Sequence, residues 1–569
     1  MFSISANIRL HAPTSPPVVL SLQSFAYRVL AKRNNGKKPQ TTIRASTGSS
    51  NHHEQFKRPT SSVLDTKEPL PTTNIFNAID PKHVLSGNFS PIDELPPTQC
   101  EVIEGTLPSC LDGAYFRNGP NPQYVPHGPY HLFDGDGMLH AIRISKGKAT
   151  LCSRYVKTHK YNAEKDAGFP IVPFFFTGFD SLGSLIAYMV VIVVRYLKGK
   201  FDPNKKGFGL ANTNLALFGN KLFALWESDL PYAIKINPDG DIVTLGREDF
   251  DGKLLMSMTA HPKYDPMTKE TFAFRYGPVS PFLTYFWFNE RGEKQPDVPI
   301  FSTKSPTFFH DFAITKNYAI FPENQITMHM KQTDIGWSLI SADMDKVPRI
   351  GVMPRYAENE LAIRWFKVPG LNIVHAVNAW EEDVAEESVV LIASNILSIE
   401  HALGRTDLIH GSLEKVRIDL KTGMVSRHTL SSRNLEFGVI NSAYVAAKNR
   451  YVYCAVGDPM PKFSGVVKLD VSLSEVDRQE CIVASRIFGP GCFGGEPFFV
   501  AKEPDNPNAD EDDGYIVSYV HNENNDESCF LVMDAKSMTL EIVATVKLPR
   551  RVPYGFHGLF VTENNLNKL

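Results

Sequence analysis

From about Phe76 to the C-terminus the chain is written in short apolar or alternating runs, each closed by Gly, Pro, Asn or Asp. KLFALWE, YAIKINPDGDIVTLG, TFAFRYG, YAIFPE, SVVLIAS, RYVYCAV, GVVKLDV, EPFFVAK, GYIVSYVHNE and HGLFVTE are examples. A period of two, or a brief all-apolar run, is the pattern of a strand with one or both faces buried. NPDG at 237–240 and DLKTG at 419–423 carry turn chemistry, so the runs flanking them read as hairpins. Amphipathic helices of twelve or more residues are scarce. So many short antiparallel strands must hide their edges, and radial repetition does so. The expectation is an all-β protein, a β-propeller over residues 81–569 with a small helical and loop cap. No WD or kelch repeat marks the blades, and seven of roughly 70 residues fit the length.

One segment breaks this texture. Residues 171–200, IVPFFFTGFDSLGSLIAYMVVIVVRYLKGK, contain an uncharged stretch from Ser181 to Val194 followed by Arg195, Lys198 and Lys200. It is too short to cross a bilayer as a helix. A buried core helix, a helix dipping into one leaflet with a basic flank, and a lid over an apolar tunnel all fit. The Pro- and Phe-rich run before it reads as loop, which favours lipid contact through Phe174, Phe175, Phe176, Ile186, Val190 and Val194.

Composition sharpens the division of the chain. Of 569 residues, 43% are hydrophobic and the formal net charge is -3, so no basic face argues for a nucleic-acid partner. That near-neutrality is an average. Met1 to His53 holds seven basic residues, no Asp or Glu and a dozen Ser and Thr, whereas the rest has 52 basic against 62 acidic residues, a formal charge of -10. An acid-free, Ser-rich, basic leader is the composition of an organelle transit peptide, expected over residues 1–45, with a polar linker over 46–80. The seven cysteines are scattered and form no CxxC pair, which argues against a disulfide framework or a zinc ribbon.

Two motif-like stretches fail on context. GPGCFG at 489–494 has the letters of a dinucleotide fingerprint, but Pro490 sits inside it and a strand-like run follows where a helix is needed. DNPNADEDDG at 505–514 lacks EF-hand spacing and the closing Glu. Histidine is more informative. His261, His310, His375 and His557 each stand among apolar or aromatic residues at the edge of a strand-like run. Their wide separation makes no local motif, but converging inner strands of a propeller would bring them together.

The runs DGAYFRNGPNPQ at 112–123 and YHLFDGDGMLHAI at 130–142, with HDFAIT at His310, NAWEE after His375 and PYGFHG ending in His557, closely resemble the plant carotenoid cleavage dioxygenases. Within them the chain looks most like subfamily 4, the plastid and plastoglobule type. The resemblance covers most of residues 80–565. It implies a seven-bladed propeller with one Fe(II) per chain on its axis, held by His261, His310, His375 and His557. Three glutamates behind them fall on Glu227, Glu436 and Glu496. Phe133, Val374, Phe437 and Phe556 are the implied lining of a substrate tunnel. Val374 departs from the Phe that related epoxycarotenoid-cleaving enzymes carry there.

Four neutral imidazoles suit Fe(II) but leave its charge uncompensated, which carboxylates accepting the Nδ1 protons offset. Three glutamates leave one histidine without an acid, and the resemblance points to His261. The implied reaction uses O2 to split one double bond of a carotenoid or apocarotenoid into two carbonyl products, at 9,10 (9',10') to give a ketone such as β-ionone. Cleavage at 7,8 (7',8') or 11,12, a non-catalytic carotenoid-binding propeller and a non-oxidative isomerase are the rivals. The implied setting is a plastid, at membrane or plastoglobule lipid.

Overall fold

The computed structural model describes residues 80–569 except 127, 173–175, 177–181, 330, 334, 335, 339, 383–386, 477–479 and 505. The leader over 1–45 and nearly all of the linker expected over 46–80 lie outside the described residues. Seven antiparallel sheets of four to six strands follow one another along the chain. The first joins Leu95–Gln99, Gly113–Pro120, Gly137–Ser145 and Lys148–Tyr155 to Gly558–Thr562 from the far end of the sequence. Five more run from Asn214–Phe218 to Ile242–Arg247, Lys263–Tyr264 to Val298–Ile300, Ala313–Ile314 to Arg364–Lys367, Ile373–Glu381 to Val425–Thr429, and Leu435–Val439 to Ile482–Ile487. The last gathers Cys492–Gly494, Phe498–Ala501, Gly514–Asn522, Glu527–Asp534 and Ile542–Lys547, with Glu101–Gly105 from the start of the chain. The seven-bladed propeller is therefore present, closed by an exchange of strands at both ends: Arg117 pairs with Gly558, and Glu101 with Lys547. Closure leaves no open seam between the first and last blades.

The innermost strand of each blade faces the axis. Ala313–Ile314 touches Ile373–Glu381, which touches Leu435–Val439, and Phe498–Ala501 touches Gly558–Thr562, which touches Asn214–Phe218. Second strands are covered on both faces by neighbouring blades, and this explains runs without alternation. In Ser388–Ile396 every position is buried. Val389, Leu391 and Ala393 pack with the blade of Ile320 and Val352, whereas Val390 and Ile392 pack with that of Val452 and Val467. Leu391→Ala would open a cavity between blades at a cost of about 2–5 kcal/mol.

The cap contains two helices of more than one turn, His159–Ala167 and Leu182–Leu197. Thr158 caps the former by accepting from Tyr161 N, and Gly168 ends it at a φ of 78°. Its Lys160 is buried between Asp136 at 2.9 Å and Glu164 at 2.8 Å, and Oε1 of Glu164 receives the backbone N–H groups of Ile171 and Val172 at 2.9 and 3.0 Å. That network fixes the start of the segment expected to meet lipid. Of the residues expected there, Ile186, Val190 and Val194 are exposed, while Phe174 and Phe175 lie outside the described residues. Phe176 departs from the expectation. It is buried, with its ring 5.4 Å from Phe133 and 6.1 Å from Phe308, because an aromatic cluster inside the cap offers it a dry surface. No described helix is long and apolar enough to cross a membrane.

Candidate metal centre

The beginnings of the inner strands supply the site. His261 precedes Lys263–Tyr264, His310 precedes Ala313–Ile314, His375 lies within Ile373–Glu381, and His557 precedes Gly558–Thr562. Glu436 lies in Leu435–Val439 and Glu496 just ahead of Phe498–Ala501, while Glu227 follows Lys221–Leu225. Local sequence holds them in place. Asp311, next to His310, accepts the backbone N–H of Ala376 at 2.8 Å and pairs with Lys263 at 2.8 Å, so one carboxylate ties three ligand-bearing strands together. Asn118 donates its backbone N–H to His557 O at 2.9 Å and accepts from Phe556 N at 2.8 Å.

One ring nitrogen from each of the four histidines lies within 4.8 Å of the other three. Nε2 of His310 is 3.0 Å from that of His261 and 3.3 Å from that of His375. Three of the four spend Nδ1 on carboxylates. His310 meets both oxygens of Glu227 at 3.1 and 3.2 Å, His375 meets Glu436 at 2.8 Å, and His557 meets Glu496 at 2.8 Å. Oε2 of Glu496 also receives Gly558 N at 2.7 Å. An Nδ1–H held by a carboxylate leaves the lone pair on Nε2, and lone pairs 3 Å apart repel unless a cation lies between them. Two nitrogens at that separation fit one ion bound at right angles, with bonds of about 2.1 Å. The donor set thus fits a single divalent transition metal.

The electrostatics favour the neutral ring at His261 and His557, but not at His375. Burial, reinforced by the three neighbouring imidazoles, holds His261 well below its ordinary value. His557 is lowered by burial, against an opposing pull from Glu496. For His375 burial also lowers the value, but Glu436, with Asp311 and Glu496 behind it, outweighs this and raises it. His261 is the histidine with no carboxylate contact among the described residues, as the resemblance implied; its backbone N–H goes to Thr259 Oγ1 at 3.0 Å.

An aromatic wall stands against three of the four rings, those of His310, His375 and His557. Phe437 lies 5.6 Å from His375 and 5.3 Å from His557 by ring centroids. It reaches them from a bulge: the strand register slips between Glu436 and Val439, and Phe437 takes a φ of 52°, unusual for a bulky residue. Phe556 meets Phe133 edge to face at 5.4 Å, and Val374 packs in the cluster of Phe176, Phe308 and Ile326. Of the four expected lining residues, Phe437 lies against the histidines, while Phe133, Phe556 and Val374 pack in the adjoining cluster. Sequence reasoning missed Phe308, which stacks on His310 at 5.6 Å, Tyr276, half-buried against Phe308, and His131, buried beside Phe176. The i−2 spacing of Phe308 from His310 was a usable signal; Tyr276 and His131 had none.

The two rejected motifs stay rejected. Cys492–Gly494 is a strand, and Glu511 of the acidic stretch accepts the backbone N–H groups of Arg450 and Tyr451 at 2.7 to 2.9 Å as a structural staple. None of the seven cysteines is in a disulfide.

A family model described as "Retinal pigment epithelial membrane protein" matches residues 88–562. The chain is 64% identical over 496 residues to "Probable carotenoid cleavage dioxygenase 4, chloroplastic" of Arabidopsis thaliana, covering 86% of this chain and 83% of that one. It is 56% identical over 497 residues to a chloroplastic 9-cis-epoxycarotenoid dioxygenase of Oryza sativa subsp. japonica, covering 86% and 77%. Among solved structures, a Synechocystis apocarotenoid oxygenase superposes with a TM-score of 0.69 at 26% identity, covering 85% of this chain and 99% of the other.

Proposed function

The chain belongs to the family of retinal pigment epithelial membrane protein and the carotenoid cleavage dioxygenases, and within it we propose an Fe(II)-dependent enzyme that splits a carotenoid or apocarotenoid at the 9,10 (9',10') double bond. The observation that carries the reading is the convergence of His261, His310, His375 and His557 under an aromatic wall, with three Nδ1 positions on carboxylates. The plastid is the proposed setting, supported by the acid-free leader and by the chloroplastic relatives.

Overall, one C=C and one O2 become two C=O groups, so no atom is lost and no external reductant is needed. Bound ferrous iron supplies the one-electron chemistry through which O2 reacts with a closed-shell polyene. The protein's part is to hold, orient and dry. Glu227, Glu436 and Glu496 fix the imidazole tautomers and offset the cation's charge. Among the described residues no acid–base pair is aimed at substrate, and the reaction asks for none. Phe133, Phe437 and Phe556 present flat apolar faces to a rigid polyene and exclude water beside the reacting bond. Val374, smaller than Phe, leaves more room at the third histidine, which favours 9,10 over 11,12 cleavage.

The exposed apolar helix Leu182–Leu197, with Lys198 and Lys200 after it, is the proposed contact with membrane or plastoglobule lipid, from which so insoluble a substrate must be drawn. The test is product analysis by mass spectrometry after incubating iron-loaded protein with C40 and C30 carotenoids under O2. A C13 ketone and its complementary aldehyde are expected. Binding without any carbonyl product would leave a carotenoid-sequestering propeller, and turnover without O2 consumption would leave an isomerase.

A further inference from the structure

Arg117 is a buried cation that the four-histidine site does not itself explain. It is 2% exposed and has no carboxylate partner among the described residues. Its Nη2 donates to Pro553 O, its Nε finds no acceptor, and its guanidinium lies 5.0 Å from the Tyr519 ring centroid. Burying such a charge costs several kcal/mol in general, so its retention calls for a role.

Its surroundings indicate one. A methyl group placed on Gly495 would come 3.3 Å from Nη1 of Arg117, and one on Gly555 would come 3.0 Å from Nε. The side chain is therefore wedged between two backbones, one immediately before Glu496 and the other two residues before His557. On the strand itself, Arg117 pairs in register with Gly558, whose N–H goes to Glu496 Oε2 at 2.7 Å. Pro553 O, Gly555, Gly495 and Gly558 surround the His557–Glu496 pair, and Arg117 touches or pairs with all four. A Cβ on Gly495 would ask the guanidinium to give by a few tenths of an ångström, and one on Gly555 would press on Arg117 Nε and meet Asn118 O at 2.7 Å.

We propose that Arg117 is a positioning residue that braces the Glu496 backbone against the His557 turn, setting the His557–Glu496 hydrogen bond and through it the affinity of the site for its metal. The guanidinium's planar fork suits this, since a lysine ammonium offers no second edge to the flanking backbones. The proposal rests on the four-histidine reading, and the experiment separates the two. If wild-type protein binds no Co(II), or if His310→Ala binds it as well as wild type, that reading fails first.

With wild-type binding established, Arg117→Lys is expected to weaken Co(II) binding about tenfold, the lower end of the usual effect of outer partners. The discriminating measurement is a pair of double-mutant cycles read as Co(II) affinity. In a Glu496→Gln background the further loss from Arg117→Lys should vanish. In a Glu436→Gln background, which perturbs a different histidine, it should persist in full. Unchanged affinity in folded Arg117→Lys, or the same loss in both backgrounds, would overturn the proposal, because a general structural role would not distinguish the two glutamates. Should Arg117→Lys lack a cooperative melt, Gly495→Ala, which presses a methyl group on Nη1, goes through the same two cycles with the same expected and overturning results.

Discussion

His375 and Glu436 meet through one short hydrogen bond, Nδ1 to Oε2 at 2.8 Å, and the same oxygen receives the backbone N–H of Phe437 at 3.0 Å. One carboxylate oxygen thus sets both the tautomer of a ligand and the start of the bulge that carries an aromatic ring over the site. The pair is electrostatically tight: burial would raise Glu436, but His375 outweighs it and holds the carboxyl below its ordinary value.

Glu436→Gln keeps an acceptor for Nδ1 but removes the charge. The expected result is a folded protein whose metal affinity falls about 10- to 100-fold. Glu227 shares longer contacts of 3.1 and 3.2 Å with His310, so Glu227→Gln should cost less than Glu436→Gln. Calorimetric titration with Co(II) or anaerobic Fe(II) ranks the two, and a larger loss for Glu227→Gln would contradict the ordering.

His310 is the hub of the histidine cluster, with Nε2 contacts to both His261 and His375. His310→Ala removes a donor and also leaves Glu227 with an uncompensated buried charge. Purified His310→Ala should hold less than a tenth of the iron of wild type by elemental analysis, and it should release no carbonyl product. Equal iron content would remove His310 from the ligand set.

His131 offers a test of the aromatic wall that does not depend on metal. Its Nδ1 accepts the N–H of Phe133 at 3.1 Å, its Nε2 is buried without a partner among the described residues, and burial lowers its pKa to about 4. A histidine whose folded value lies below its unfolded one binds fewer protons when folded. Its contribution is therefore complete above about pH 6.5 and is lost as pH falls from there to about 4. The interval corresponds to about 3 kcal/mol. Between those pH values the metal-free wild type should lose thermal stability more steeply than His131→Asn, whose amide does not titrate. Parallel curves would mean that His131 is hydrated or paired in solution.

Much of this architecture was written in the strand pattern. NPDG, DLKTG and the alternating runs beside them became the turns and hairpins they suggested, because local turn chemistry and a period of two act over a few residues. The buried run SVVLIAS marked a strand but gave no sign of which neighbour each residue faces, since both faces are covered by blades far apart in sequence. The four histidines stood out one by one, and only closure of the propeller brings Nε2 atoms from residues 49 and 65 positions apart to 3.0 and 3.3 Å. Phe176 was misjudged for the same reason. A Phe-rich run reads as exposed until Phe133 and Phe308, distant in sequence, arrive to cover it. Arg117 stood inside the DGAYFRNGPNPQ run, but nothing there marked its role, because its hydrogen-bond acceptor and the glycines that flank it are backbone, which carries no letter.

Helix Leu182–Leu197 makes the last prediction. Ile186, Val190, Val193, Val194 and Leu197 are 41 to 77% exposed, more apolar surface than a single helix usually leaves in water. Val190, Val191 and Val194 line one groove with Arg195, Lys198 and Lys200. The basic residues are not equivalent. Arg195 donates to Ala163 O at 3.4 Å and packs over Phe169, tying the helix to the preceding one, whereas Lys198 and Lys200 are exposed. Burying each apolar side chain in lipid is worth about 1.5–3 kcal/mol, and each lysine near an anionic surface about 1 kcal/mol. Val190→Ser, Val194→Ser and Leu197→Ser together should therefore lower partitioning onto neutral liposomes at least tenfold, while leaving metal content and turnover of a detergent-dispersed substrate unchanged. Lys198→Ser with Lys200→Ser should weaken binding to anionic liposomes only. Full retention of the triple variant on neutral liposomes in a flotation assay would assign the helix to another partner.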